Sequence, residues 1–363
     1  MGSMLIVGGG PAGLTASVEG AKSGFHVTLL EKNSIGDNIN CGEGFYDSLK
    51  LLGKPSCGVK YRVNSIHFKL INTYRIDKIP LDIWMLDRQK WQSGLAEKAN
   101  SWGVEIKENY PLQNERIEDL SQDYTGVIDA RGSVAVNEYW PEPHYPGRAQ
   151  TYQMQLEGDF NFLYPCYKIG LEDHFLGYYW IFPKSQELAN VGVGWFEPKK
   201  SRSHGLSLKS ELHKILIKEN MQHYRINKSS GGAIPVIPSP CPQKGNILAT
   251  GDAAGLASPL HGGGIDIACI SGYLAARSLV ESRPHLYHAD LKKTIRPKVL
   301  RENKLLQLWK RTDLKNLENI ARWFSGKETF GSISWLRFPL FSFRDWKLIR
   351  TFLGRHFSIQ NFD

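Results

Sequence analysis

The 363-residue sequence has no run of eighteen apolar residues, and no basic stretch followed by an apolar core opens it. We therefore expect neither a transmembrane helix nor a secretory signal. Its five cysteines include no Cys-x-x-Cys pair and no cluster with histidine at zinc spacing, so we predict no metal site and no disulfide framework. Repeats and low-complexity segments are absent too. An apolar fraction of 41% and a charged fraction of 22% indicate a globular protein, which the scattered cysteines place in the reducing cytoplasm.

Positive charge is concentrated at the C-terminal end. The formal net charge is +9, yet residues 292–363 alone hold sixteen lysines and arginines against six acidic residues. Residues 332–357 interleave aromatic and basic side chains, as membrane-surface helices do. Two interpretations stay open: a peripheral membrane contact, or a helical region that covers a substrate cavity and turns a basic face to solvent. No recognised nucleic-acid module accompanies the charge, so we predict no nucleic-acid partner.

Residues 4–31 have the pattern strand, tight turn, helix and strand, and the turn matches Gly-x-Gly-x-x-Gly. Gly8 permits the turn, Gly10 lets a pyrophosphate approach the backbone, and Gly13 allows the helix to pack closely on the strand. The helix start offers free N–H groups and positive potential to a diphosphate. Glu31 ends the second strand, where it is placed to bind the ribose hydroxyls of an adenosine. These residues predict a dinucleotide site.

A later segment favours FAD over NAD. Residues 247–255 (ILATGDAAG) place Asp252 at the end of a strand, where its carboxylate can hold a ribityl hydroxyl of an extended flavin nucleotide. Residues 259–265 (PLHGGGI) begin another helix, whose N–H groups would stabilise negative charge on a reduced flavin. A nicotinamide dehydrogenase does not need these two later segments, so the predicted cofactor is FAD.

These motifs occur together with Cys41-Gly-Glu-Gly44, Asp87-Arg88, YYWIFP at residues 178–183 and NVGVG at residues 190–194. In order and spacing, the set resembles the geranylgeranyl reductase family of flavoproteins, part of the p-hydroxybenzoate-hydroxylase-like group. The resemblance spans Met4 to Ser282. It implies that FAD is contacted by Ala12, Glu31, Lys32, Cys41, Gly42, Gly44, Arg88, Asp252, Gly264 and Ile265. It also implies that Tyr178, Trp180 and Phe182 line the substrate cavity.

The predicted fold class is α/β (α+β overall). A Rossmann-type FAD-binding domain is interleaved with an antiparallel β-sheet substrate domain, and a C-terminal helical region follows. We assign residues 1–60, 86–135 and 245–290 to the FAD-binding domain, 61–85 and 136–244 to the substrate or cap domain, and 291–363 to the basic helical region. Residues 63–86 alternate like an antiparallel hairpin, and residues 206–221 have the apolar period of an amphipathic helix.

The family implies an oxidoreductase that delivers hydride from reduced FAD to a carbon–carbon double bond, most simply in an isoprenoid chain. An unactivated alkene also needs a proton at its other carbon, and Cys41 and His261 are the candidate acids. The alternatives are that Cys41 is a small spacer beside the flavin ring and that His261 is a polar residue at a helix start. Glu43 would serve only if burial raised its pKa; carboxylates in glycine-rich loops more often bind backbone.

Other interpretations remain. Tyr178, Trp180 and Phe182 share one face of a strand, which fits core packing as well as a lipid pocket. A flavin-dependent aromatic monooxygenase or halogenase, acting through a flavin hydroperoxide, is the alternative function, and a non-catalytic FAD-binding scaffold is a third. No second dinucleotide fold is visible. The electron donor would therefore be transiently bound NAD(P)H or a reduced protein carrier.

Overall fold

The computed structural model describes residues 2–77, 82–112, 116–197, 207–324 and 359–362. Three sheets and the helices packed on them make up this part of the chain. The helices of the described ranges are α1 (Pro11–Lys22), α2 (Arg88–Ser101), α3 (Ile117–Leu120), α4 (Leu208–Lys218), α5 (Ile265–Val280), α6 (Tyr287–Thr294), α7 (Arg296–Lys310) and α8 (Leu314–Phe324).

A six-stranded sheet carries the predicted nucleotide-binding motif. Its order is β15 (Gln243–Lys244), β16 (Ile247–Ala249), β9 (Gly126–Asp129), β1 (Ser3–Val7), β2 (His26–Leu30) and β8 (Glu105–Lys107). All neighbours are parallel except the β15–β16 pair. The inner strands are continuous apolar runs because helices cover them. Helices α1 and α5 meet at Gly272, where a Cβ would lie 2.1 Å from the Ala12 carbonyl oxygen.

A second, eight-stranded sheet forms the other half of the molecule. Its order is β14 (Arg225–Pro235), β10 (Arg148–Glu157), β13 (Leu188–Glu197), β12 (Leu176–Pro183), β11 (Tyr167–Leu171), β5 (Ile66–Lys69), β6 (Thr73–Ile76) and β17 (Ile359–Phe362). Helix α4 covers one face, and its Leu212 and Ile215 pack with Tyr179 and Ile181 of β12. Because side chains alternate along a strand, Tyr178, Trp180 and Phe182 point to the opposite face.

A small sheet of β3 (Gly44–Tyr46), β7 (Ile83–Leu86) and β4 (Val59–Arg62) adjoins both larger units. This corrects the hairpin expected over residues 63–86, since only β5 and β6 pair as a hairpin. Strand β7 is not part of this hairpin and pairs with β3 and β4. The reason is burial: Leu86 is fully buried in a cluster with Phe45.

The C-terminal region is helical through α8, and strand β17 then adds to the edge of the large sheet beside β6. The described part of the predicted C-terminal helical region is thus mostly helical, with one strand that sequence analysis did not predict. The predicted membrane-surface segment, residues 332–357, lies outside the described residues. None of the helices in the described ranges combines the length and apolarity needed to cross a bilayer. The domain boundaries given above stay a prediction.

Candidate functional site

A cavity of about 1380 Å³ lies between the six-stranded and eight-stranded sheets. Pockets for single small ligands usually measure about 300–1,000 Å³, so this one has room for a cofactor and a substrate. Of the predicted site residues, all but Gly13 line it: Gly8, Gly10, Ala12, Glu31, Lys32, Cys41, Gly42, Gly44, Arg88, Tyr178, Trp180, Phe182, Asp252, His261, Gly264 and Ile265.

The three motif glycines each meet a different constraint. Gly8 has a φ of +110°, and a Cβ there would lie 2.3 Å from the Ala130 carbonyl oxygen. A Cβ on Gly13 would lie 1.9 Å from the Gly8 oxygen, so Gly13 serves the packing of α1 on β1. A Cβ placed on Gly10 would have no neighbouring protein atom within 4 Å. The open side of Gly10 faces the cavity at the start of α1, which fits a diphosphate.

Glu31 is fixed at the wall of this nucleotide end. Its carboxylate accepts the Gly9 N–H at 2.7 Å and the Asn33 N–H at 3.0 Å. These two backbone amides hold the side chain, and each carboxylate oxygen keeps a further lone pair for a ribose hydroxyl.

Asp252 and Arg88 supply charge in the middle of the cavity. Asp252 lies in the 3-10 turn Gly251–Ala254, just beyond β16 rather than within it. Burial raises the pKa of Asp252 to about 6, although the Arg88 guanidinium opposes the shift. Arg88 is the first residue of α2 and is itself buried, with its Nε donating to Gln92 at 3.2 Å. A buried guanidinium and a half-buried carboxylate on a cavity wall are what a polar ligand such as a ribityl diphosphate requires.

The loop from Cys41 to Gly44 crosses the same wall. The Cys41 sulfur accepts the Glu43 N–H at 3.2 Å. Glu43 is buried in the left-handed region at φ +62°, and its carboxylate binds Asn190 at 2.9 Å and forms an ion pair with Lys184. This carboxylate therefore anchors the loop, in line with the backbone-binding alternative for its role.

The three aromatic residues of β12 form the neighbouring wall. Gly192 of β13 lies directly across from Trp180, and a Cβ on Gly192 would lie 2.2 Å from the indole ring. The NVGVG segment thus makes room for this ring. Phe182 stacks on Tyr167 with ring centroids 4.1 Å apart, and a Cβ on Gly42 would contact the Phe182 ring at 3.1 Å.

Beyond these aromatics the cavity becomes apolar, and helices α7 and α8 close it. This part is lined by Leu70, Tyr74, Ile76, Leu171, Leu305, Leu308, Trp309, Leu317, Ile320 and Ala321. The sequence analysis left open whether the basic tail covers a cavity, and the described part of it does. The apolar spacing of Leu314, Leu317 and Ala321 on α8 is the signal that could have shown this.

His261 belongs to a polar cluster that sequence motifs did not reveal. Its Nε2 contacts the Tyr46 hydroxyl and lies 3.5 Å from the Glu302 carboxylate, which pairs with Lys298 at 2.9 Å. Burial raises the pKa of Glu302, but His261 and Lys298 outweigh burial and lower it to about 2. Burial, with Asp266 and Glu302 nearby, raises the pKa of Tyr46 well above its usual value. Tyr46 and His261 are 215 positions apart, so no local motif joins them.

Comparison with known proteins agrees with this geometry. The family model of an NAD(P)-binding Rossmann-like domain matches residues 6–41. A digeranylgeranylglycerophospholipid reductase of Methanoculleus marisnigri is 28% identical over 303 residues, 76% of this chain and 75% of the relative. The reductase of the same name from Thermoplasma acidophilum is 27% identical over 321 residues, 77% of this chain and 78% of the relative. Over about three quarters of its length, the chain is similar to digeranylgeranylglycerophospholipid reductases.

Solved structures show the same fold. A geranylgeranyl bacteriochlorophyll reductase-like protein of Thermoplasma acidophilum superposes with a TM-score of 0.77 at 20% identity, covering 96% of each chain. The flavin-dependent halogenase CmlS gives 0.66 at 16% identity, over 85% of this chain and 64% of that one. A variant of the halogenase PltM, solved with FAD, gives 0.62 at 13% identity, over 85% and 75%. The fold and the family resemblance predicted from the sequence are confirmed.

Proposed function

We propose that this reductase-like protein binds FAD and saturates carbon–carbon double bonds in the isoprenoid chain of a lipid. The observation that carries the proposal is the continuity of the cavity. One end is a dinucleotide cradle of glycines with Glu31, and the other is an apolar compartment closed by α7 and α8. The curated relatives are named for a geranylgeranylated glycerophospholipid, which has the apolar chains that such a compartment accepts.

The protein's groups for holding FAD are distributed along the cavity wall. In our proposal the diphosphate lies at Gly10 and the start of α1, the adenosine ribose at Glu31, and the ribityl chain between Arg88 and Asp252. The ring lies between the Cys41–Gly44 loop and the turn before α5. When bound and reduced, FAD supplies the hydride.

The remaining residues align the chain and keep water away. Tyr178, Trp180 and Phe182 give the isoprenoid a flat wall beside the Cys41 loop, and the buried side chains of α7 and α8 enclose its far end. Holding a double bond in register in a dry site raises the rate by removing orientational freedom and competing reactions with water. The Cys41 thiol and the His261 cluster both line this part of the wall, so each is within reach of a proton transfer.

We further propose that electrons arrive from NAD(P)H bound transiently, or from a reduced protein carrier. The described part of the chain contains one dinucleotide fold, which the proposal assigns to FAD. Residues 332–357 would contact a membrane surface from the cytoplasm, because a lipid substrate must be taken from a bilayer.

The test is anaerobic reoxidation. Protein reconstituted with FAD is reduced with dithionite and mixed with a geranylgeranylated glycerophospholipid in detergent. The flavin absorbance should return with the lipid and stay bleached with its fully saturated counterpart, which has the same head group. Bleached flavin with both lipids would contradict the proposal. Oxygen-dependent hydroxylation or halogenation of an aromatic compound would instead favour the halogenase-like function.

A further inference from the structure

The polar cluster around His261 is built from three separate parts of the chain. Tyr46 ends strand β3, His261 lies in the turn before α5, and Glu302 and Lys298 lie on α7. Lys298 is 4% exposed and lies on the cavity wall. A lysine and a glutamate in an otherwise apolar wall cost free energy to bury, so this arrangement needs an explanation beyond packing.

Hydrogen bonding fixes the position of the imidazole proton. The Gly263 N–H donates to Nδ1 of His261 at 3.1 Å, so Nδ1 is an acceptor and the neutral ring carries its proton on Nε2. That N–H is directed at the Tyr46 oxygen and the Glu302 carboxylate. Tyr46 therefore accepts from His261. Its own O–H proton finds no other protein acceptor among the described residues, and the phenol lines the cavity.

Tyr46 is held beside the turn that carries His261. Its ring is 3.7 Å from a Cβ placed on Gly263, in the glycine turn that leads into α5. The Tyr178 hydroxyl of the aromatic wall donates to the His261 carbonyl oxygen at 2.5 Å, which fixes the turn whose imidazole contacts Tyr46. Just beyond Tyr46, the Ser48 N–H donates to the buried Asp266 carboxylate of α5 at 3.0 Å. These contacts leave the phenol little freedom to move.

We propose that Tyr46 is the catalytic acid for the double-bond reduction, an inference that rests on the proposed function. Its O–H bond breaks as a C–H bond forms at one alkene carbon. The other alkene carbon receives hydride, with its electron pair, from reduced FAD. The alkene is reduced, FAD is oxidised and a phenolate remains on Tyr46.

His261, Glu302 and Lys298 position Tyr46. The Nε2–H of His261 stabilises the phenolate, Glu302 and Lys298 hold the imidazole in place, and the phenolate regains its proton from water when the product leaves. His261 is thereby a positioning residue and not the acid itself. The raised pKa of Tyr46 keeps the phenol protonated between turnovers.

The first test is a single turnover of the anaerobically reduced holoenzyme. Tyr46→Phe should bind FAD as tightly as the parent and saturate the lipid about 100-fold or more slowly, the usual contribution of a general acid. The matched control is Tyr224→Phe, because that phenol donates to the Asp159 carbonyl beside α4, away from the cavity. Tyr46→Phe at within about threefold of the parental rate would overturn the proposal.

A second test distinguishes positioning from structure. Glu302→Gln should leave FAD binding unchanged and slow the first turnover by less than Tyr46→Phe does, because it loosens the imidazole and leaves the acid in place. It should also shift the ¹⁵N signal of His261 Nε2, and an unchanged signal would contradict the positioning role.

A third readout needs no catalysis. In ¹⁵N spectra of the protein without FAD, His261 should show a protonated Nε2 and an unprotonated Nδ1, identified by the signal lost in His261→Gln. Tyr46→Phe should shift the Nε2 signal and Tyr224→Phe should not. A proton on Nδ1 would refute the assignment. If the parent protein reduces no prenyl lipid while these shifts hold, the proposed function fails and the Tyr46–His261 link stands.

Discussion

At the scale of single residues, the cavity's chemistry depends on groups that the fold buries at a cost. Asp252 is the clearest case, because burial raises its pKa to about 6 from an ordinary value near 3.8. Below about pH 4 the carboxyl is protonated in both folded and unfolded protein. Between pH 4 and 6 the unfolded chain ionises first, so stability falls as pH rises through this window.

Asp252→Asn should remove that pH dependence. The shift of about two pKa units corresponds to at most about 3 kcal/mol. At pH 6–7 and without FAD, the free energy of unfolding of the variant should exceed that of the parent by up to this amount. Denaturant unfolding of both proteins from pH 4 to 7 measures the difference. If the free energies of unfolding of the two proteins changed with pH in parallel, Asp252 would ionise in the folded protein at its ordinary pKa.

At this scale, sequence reasoning identified cavity residues that belong to one continuous stretch of the chain. The glycine motif, Glu31 and the Cys41 loop all fall within residues 8–44, in one strand–helix–strand unit and the loop that follows it, so the local pattern predicts that they share a wall. The contact of Tyr46 with His261 depends on how β3 meets the turn before α5, and nothing in either short segment indicates it. The role of His261 as a candidate acid stays a prediction, and the Gly263 hydrogen bond directs the proton of the neutral ring toward Tyr46 and Glu302.

At the scale of elements, the packing of α1 on β1 gives Gly13 and Gly10 of the same motif different roles. Gly13→Ala should destabilise the protein even without FAD, because its Cβ would stand 1.9 Å from the Gly8 oxygen. Gly10→Ala should unfold like the parent, since no neighbouring protein atom lies within 4 Å of the added methyl group. It should instead weaken FAD binding by at least about tenfold by blocking the diphosphate. Thermal unfolding and flavin titration separate the two effects; equal melting temperatures for both variants would contradict the packing argument.

Helix α8 is fixed to the large sheet by one buried carboxylate. Glu318 accepts the Ile71 and Asn72 N–H groups at 3.1 and 3.2 Å and the Tyr74 hydroxyl at 2.6 Å. Glu318→Ala leaves the buried Tyr74 hydroxyl and two backbone N–H groups without their acceptor and should cost about 3 kcal/mol in unfolding free energy. Lys315→Ala, on the exposed side of the same helix, should change it by less than about 0.5 kcal/mol. Similar losses for the two variants in denaturant unfolding would show that Glu318 is not the anchor.

The order of the helices and strands was largely predictable, because the helices have an apolar period and the inner strands are apolar runs. The transfer of β7 to the small sheet was not, since its apolar residues suit a hairpin and a three-stranded sheet equally well. Only the burial of Leu86 against Phe45, from a distant strand, favours the observed pairing.

At the scale of the whole molecule, the proposed function depends on one cavity that the six-stranded and eight-stranded sheets share. The aromatic wall of β12 and the closing helices α7 and α8 belong to separate stretches of sequence, and they meet only in the folded chain. The resemblance to geranylgeranyl reductases indicated the aromatic wall, whereas the closing helices follow Ser282, the last residue that the resemblance covers.

The most direct test is the mass of the lipid after one anaerobic turnover of the FAD-reduced protein with a geranylgeranylated glycerophospholipid. We predict a gain of two hydrogen atoms for each double bond reduced. Both should be deuterium when reduction and turnover are run in heavy water, because the hydrogen that reduced FAD delivers exchanges with solvent. An unchanged lipid mass, with flavin that remains reduced, would contradict the assignment of this cavity to isoprenoid reduction.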